Sequence, residues 1–219
     1  MKVIRQIVLA VALVLTALGC RADYLPFLEE GKWWIVAEVE LGMNEVEFCH
    51  WKVAVTDVET IDSQEYFNLS AVRVDKNGDG RWVEQSTLFP PMKFRLSEKN
   101  GTVYLVDSAE GGSLSTSVLF SLEEFPEDQY VVMPTTVKVN EETRAAVYFG
   151  EEYVGFNVWI VEGIGPNSDY WSRSFATLRS SASSQSMIYK AHMMECYKGE
   201  QLLYTRADFD QLAVPVKNN

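Results

Sequence analysis

The sequence predicts an all-β protein, a single antiparallel meander closing into a barrel or sandwich, with little helix. Three observations carry that prediction. Windows rich in Val, Ile, Tyr, Phe, Trp and Thr recur at short intervals, turn residues punctuate them, and no window holds a long apolar stripe of 3.6-residue period.

Residues 1–19 stand apart from this pattern. "MKVIRQIVLAVALVLTALG" has a basic head at Lys2 and Arg5, an aliphatic run from Ile7 to Leu18, and small residues before Cys20. That layout is a secretory signal peptide, and the run is short for a helix crossing a ~30 Å hydrocarbon core. "TALGC" is similar to a bacterial lipobox, which implies that Cys20 is acylated and becomes the first residue of the mature chain. More than one acyl chain gives stable anchoring, so the expected partner at this end is the membrane, in the cell envelope and at the outer membrane. Residues 20–31 are then the lipidated cysteine and a tether, and 32–219 a single β domain.

Within that domain the expected strands run in order. "KWWIVAEVEL" (32–41), "EVEFCHWKVAV" (45–55) and "YFNLSAVRV" (66–74) come first, then "RWVEQSTLF" (81–89), "MKFRLSE" (92–98), "TVYLVDS" (102–108) and "STSVLFSL" (115–122). "QYVVMPTTVKV" (129–139), "TRAAVYF" (143–149), "YVGFNVWIVEG" (153–163), "SMIYKAHMMECY" (186–197) and "QLLYTRA" (201–207) complete the set; "SLEEFPEDQ" (121–129) has room for one helical turn before Pro126. Asn100-Gly101 is a strong two-residue hairpin signal and sets Leu96 opposite Leu105. Lys198-Gly199 and Gly150-Glu151 mark two more reversals. Residues 166–186 are rich in Ser and Asn, without period, and read as a long loop.

Composition narrows function. A hydrophobic fraction of 47% with ten Tyr, eleven Phe and six Trp argues for a packed core. The formal net charge is −12 and becomes more negative once Lys2 and Arg5 leave with the leader, so nucleic acid is not an expected partner. Cys49 and Cys196 remain after Cys20, and two thiols in an exported chain suggest a disulfide, provided their Cα atoms come within ~7 Å.

Candidate chemistry is sparse. Asp75-x-Asn77-x-Asp79-Gly80 matches the front half of an EF-hand calcium loop, but the twelfth position is Ser86 and the flanks are strand-like. A hairpin turn at Asn77-Gly78 accounts for the same residues, pairing Lys76 with Asp79 and Arg73 with Trp82. Calcium at Asp75, Asn77 and Asp79 stays as the lesser alternative. His50 and His192 lie beside the two cysteines, but neighbours on a strand point to opposite faces; only His192 and Cys196 share a face by spacing, which is poor for zinc. No Gly-x-Ser-x-Gly or His-Glu-x-x-His is present, and "GIGPN" (163–167) reads as a turn rather than a phosphate cradle. No cofactor is expected. Tyr170, Trp171 and Arg173, inside the polar loop, form a candidate platform for a sugar or peptide.

Three stretches carry a resemblance: "EEGKWW", "VWIVEGIGP" and "MECYKGEQLLY". They resemble segments of secreted, β-rich lipoproteins of Bacteroidetes-type bacteria, a set largely without known function. Its members carry a Trp-Ile-x-Glu-Gly-Ile-Gly-like segment, then a loop and a Cys-containing hairpin, here Trp159 to Gly165 and Met194 to Tyr204. The resemblance implies an envelope location and an all-β fold, and transfers no catalytic or binding residue. The function expected is therefore a non-enzymatic envelope lipoprotein that binds a ligand or partner, a glycan or a protein. The alternatives are a glycan hydrolase with a carboxylate pair and an assembly subunit joining a neighbour through an edge strand.

Overall fold

A computed structural model describes residues 24–40, 46–85, 91–108, 114–122, 131–151, 156–167 and 189–213. The chain is built from strands in two antiparallel sheets, and among the described residues neither sheet closes into a barrel. The larger sheet uses β1 (Lys32–Glu40), β2 (Val46–Ile61), β3 (Gln64–Lys76), β4 (Trp82–Glu84), β5 (Met92–Lys99), β6 (Thr102–Ser108), β7 (Leu114–Ser121), β12 (Tyr189–Lys198) and β13 (Gln201–Thr205). Its order is β13-β12-β1-β2-β3-β5-β6-β7, with β4 paired to β3. The smaller sheet, β11-β10-β9-β8, uses β8 (Val131–Val139), β9 (Glu142–Glu151), β10 (Phe156–Val161) and β11 (Gly165–Pro166). The expected single meander is thus two meanders, and the last hairpin returns to pair β12 with β1.

Alternation explains the layers. Along β1, Trp34 and Val36 face the interior and are fully buried. Phe27, Trp34 and Phe120 form a ring cluster, with Phe27 4.6 Å from Trp34 and 5.0 Å from Phe120. Tyr148 and Trp159 of the smaller sheet meet at 5.1 Å and belong to the same core. Polar bridges join the sheets: the Trp34 indole donates to the Ile164 carbonyl (3.0 Å), and the Met193 amide to the Asn167 carbonyl (2.8 Å).

Turn chemistry fixes the hairpins. Asn100 and Gly101, at φ 50° and 75°, make the expected tight turn, and Leu96 does pair with Leu105. Gly199, at φ 57°, begins the β12–β13 reversal, where Lys198 pairs with Gln201. Asp62-Ser63 and Asn140-Glu141 make equivalent turns with positive φ and no glycine. The first of these lengthens the β2–β3 hairpin well past the expected strands at 45–55 and 66–74. At Gly150-Glu151 there is no reversal: β9 runs through both residues, and Glu151 pairs with Phe156. The expected strand at 81–89 is ordered as strand only over Trp82–Glu84 among described residues.

The expected strand at 201–207 ends at Thr205, where a short helix, α1 (Arg206–Asp210), takes over. Thr205 and Asp208 form a reciprocal capping box, and buried Phe209 meets Tyr204 edge-on at 4.7 Å.

Candidate functional site

The segment expected to be a tether leading into the domain is packed from Tyr24 onward. Residues 24–31 form a strap across one end of the domain, driven into the core by Phe27 and Leu28, each 2% exposed. Gly165, at φ 101°, makes room: a Cβ there would come within 2.3 Å of the Phe27 ring. Its polar groups end on side chains of the body. Glu98 of β5 accepts from the Phe27 amide (2.9 Å), the Leu28 amide (2.7 Å) and the Tyr24 hydroxyl. Lys32 donates to the Pro26 carbonyl (2.9 Å), the Leu25 amide donates to Glu162 (3.2 Å), and Glu29 pairs with Lys198.

These groups are electrostatically strained in opposite senses. Burial raises the Glu98 carboxyl above its ordinary range, against the Tyr24 hydroxyl, the two amides and Lys32. Burial lowers Lys32, and Cys196, Glu29 and Glu98 oppose the shift. Each is a charged group tolerated inside because it is hydrogen-bonded.

Beside the strap, under the end of the β2–β3 hairpin, lies an open recess of about 560 Å³. Pro26, Leu28, Val58 and Phe67 give it apolar walls, and Glu29, Glu30, Glu65 and Asn100 a polar rim. That size falls within the range of small-molecule pockets, ~300–1,000 Å³.

On the other face of the larger sheet, Trp33, Tyr197 and Trp82 are already engaged. Trp33 stacks on Tyr197 (3.9 Å, interplanar 3°) with the Lys52 ammonium 5.3 Å from its ring. Trp82 sits between His50 (4.9 Å) and the Lys76 ammonium (4.6 Å), and its indole donates to Glu195 (2.7 Å). Glu195 also accepts from the Tyr197 hydroxyl (2.7 Å). The β3–β4 hairpin therefore folds across β2 and β1 to reach β12, which explains why Ile35 and Ala37, on this outer face, are buried.

The structure corrects the thiol prediction. Cys49 and Cys196 are both free and buried. They flank β1 from opposite sides, Cys49 opposite Glu38 and Cys196 opposite Trp34. Two strand spacings across and four residues along put them about 16 Å apart, beyond the ~7 Å that a disulfide spans. Cys49 donates instead to buried Glu38 (2.9 Å), which also accepts from the Trp51 indole (3.0 Å). Burial, with Glu38 adding to it, pushes the Cys49 thiol up to about 12; burial pushes Cys196 up to about 12 against Lys32 and Arg144. A thiol so placed is a poor nucleophile. The shared face of His192 and Cys196 is also lost, because a bulge at Met194 sets Cys196 opposite inward Trp34 and His192 opposite outward Ala37.

Asp75, Asn77 and Asp79 lie in the β3–β4 hairpin, as the turn reading has it, but in another register. Lys76 pairs with Trp82 rather than Asp79, leaving a five-residue loop at 77–81. The Asn77 carboxamide oxygen accepts from the Asp79 (3.0 Å) and Arg81 (2.9 Å) amides, so the backbone takes the oxygen that a cation would need. Among the described residues no group of three or more His, Cys, Asp or Glu is placed to hold a metal. "GIGPN" starts in a turn, with the Ile164 amide closing onto the Val161 carbonyl (3.0 Å), and goes on as β11. Cys20, Tyr170, Trp171 and Arg173 lie outside the described residues.

Sequence reasoning missed Glu98, Lys32 and Glu38. The last two carried a signal: in "KWWIVAE", Lys32, Trp34, Val36 and Glu38 share one parity, which puts two charges on the apolar face. Glu98 carried none, since its partners lie some seventy positions away. The three stretches behind the family resemblance do meet in space, through Gly31–Gly199 and Trp34–Ile164 hydrogen bonds. Compared with models of protein families, with curated proteins and with solved structures, the chain matches none of them.

Proposed function

We propose that this chain is an exported lipoprotein of the bacterial cell envelope, acylated at Cys20 and held at the outer membrane. Its β domain, a two-sheet sandwich rather than a barrel, binds a ligand or partner without acting on it chemically. The observation that supports binding is the recess between the strap and the β2–β3 hairpin, apolar inside and carboxylate-rimmed. Such a surface suits a molecule with an apolar body and hydroxyl or cationic groups, a glycan or a peptide segment. Glu98, at its edge, accepts three hydrogen bonds that hold the strap, which weighs against the carboxylate-pair hydrolase.

The test is a chain beginning at Arg21, titrated with envelope oligosaccharides and peptides while backbone resonances are followed. Shifts at Val58, Glu65 and Phe67, removed by Val58→Trp in a folded variant, are expected. Shifts confined to the outer face of the larger sheet, or release of product sugar, would overturn the reading.

A further inference from the structure

Resting on the lipid anchor just proposed, we infer that the strap end of the domain is a membrane-facing surface that lies against zwitterionic phospholipid headgroups. The domain does not swing on a loose leash. Only Arg21, Ala22 and Asp23 separate Cys20 from Tyr24, and four residue steps span at most about 14 Å. Freedom ends there, because Glu98 holds Tyr24 and Glu162 holds Leu25.

The same end carries the parts that would meet a bilayer first. Trp33 pairs with Ala54, and β2 continues from Val55 to Ile61, about 20 Å at ~3.3 Å per residue. Tyr24 already sits at the level of that overhang, on Glu98, two residues past the Phe67–Leu96 pair, so the linker starts beside the hairpin tip and its reach of ~14 Å brings the tip to headgroup level when Cys20 is embedded. The β12–β13 turn lies there too, tied by the Gly199 amide to Gly31 (2.9 Å). Tyr24 (39% exposed), Leu25 (37%), Ile61 (37%) and Leu202 (44%) are all at this end. An aromatic and three aliphatic side chains, set singly among polar ones, suit the interfacial layer.

Charge selects the lipid. Glu30, Asp62, Glu65 and Glu200 are exposed at this end against Lys99 and Lys198, so anionic headgroups are repelled and the amines of choline or ethanolamine headgroups are tolerated, and the recess, which shares Glu30 and Glu65, takes its ligand at the headgroup level.

The experiment uses the full chain processed in a host that acylates lipoproteins. Intact mass first reports whether Cys20 carries its acyl chains; an unmodified cysteine ends the anchor reading itself. The acylated protein then receives Thr60→Cys, near the hairpin tip, or Asp79→Cys, on the β3–β4 loop at the far end. From Gln64 to Lys76, β3 alone separates these ends by about 40 Å. A fluorescent maleimide labels the new thiol, Cys49 and Cys196 being buried. In phosphatidylcholine vesicles containing headgroup spin-labelled phosphatidylcholine, the label at 60 loses its fluorescence and the label at 79 keeps it. Inserting about twenty Gly/Ser residues between Asp23 and Tyr24, a coil of ~25 Å, removes the difference. Equal quenching with the native linker, or stronger quenching at 79, in protein of confirmed acylation overturns the membrane-facing assignment.

Discussion

Glu98 does the work of a small element. One carboxylate accepts from two consecutive backbone amides, Phe27 and Leu28, and from the Tyr24 hydroxyl as well. Glu98→Ala leaves both amides without that acceptor, and urea unfolding should show a loss of about 2–4 kcal/mol. Glu98→Gln, which keeps the volume and one carbonyl oxygen, should lose clearly less but not nothing; no loss in Glu98→Gln would mean that the side chain acts only by filling space. The two thiols give a second check at this scale. Each titrates near the ordinary cysteine range when unfolded and only near about 12 when folded. The sign follows: the unfolded chain releases protons first, so stability is intact below pH 9 and falls as pH rises toward 12. The slope is about 1.4 kcal/mol per pH unit for each thiol. Cys196→Ala should be less stable at pH 7 yet show a flatter alkaline decline. Lys32, held low by burial, acts in the opposite sense, and because Cys196 opposes its shift, Cys196→Ala deepens that opposite slope as well and flattens the decline further.

Elements were legible where turn chemistry is written in glycine. Asn100-Gly101 gave both the hairpin and its register, because only residues tolerant of positive φ close a two-residue loop. Asp62-Ser63 and Asn140-Glu141 adopt the same backbone without glycine, and the residues flanking the first, from Glu59 to Glu65, are mostly polar, so neither pattern nor turn signal marked where β2 and β3 continue. This has a direct consequence for stability. Ser63→Gly and Glu141→Gly should each stabilise the fold by about 0.5–1 kcal/mol, read from the midpoint of thermal or urea unfolding. Gly165→Ala should do the reverse and strongly, since its Cβ would overlap the Phe27 ring and its φ of 101° disfavours any side chain. α1 was legible in principle: Thr205 three residues before Asp208 is a capping signature, overlooked because the preceding residues alternate as a strand. The register of the β3–β4 hairpin was not, since Asn77 closes a wider loop through its side chain.

At the scale of the whole molecule, composition and alternation delivered the all-β class, but not the partition into two sheets. Nothing in a strand's own alternation says that β8 to β11 form a separate sheet, or that β12 crosses back to β1. Those choices rest on long-range contacts: Trp34 reaching Ile164, Met193 reaching Asn167, and Phe27 filling the space beside Gly165. The strap was invisible for the same reason. "YLPFLEE" reads as a linker, and only the groove made by Trp34, Phe120 and Gly165 turns it into part of the core. The packed body therefore includes Tyr24 to Gly31 rather than starting at Lys32. Hydrogen exchange at the Phe27 and Leu28 amides, in the chain beginning at Arg21, tests this most directly. Protection matching the slowest strand amides of β1 and β5, lost only with global unfolding, is the predicted result. Exchange within minutes, at the rate of an unstructured tether, would contradict it.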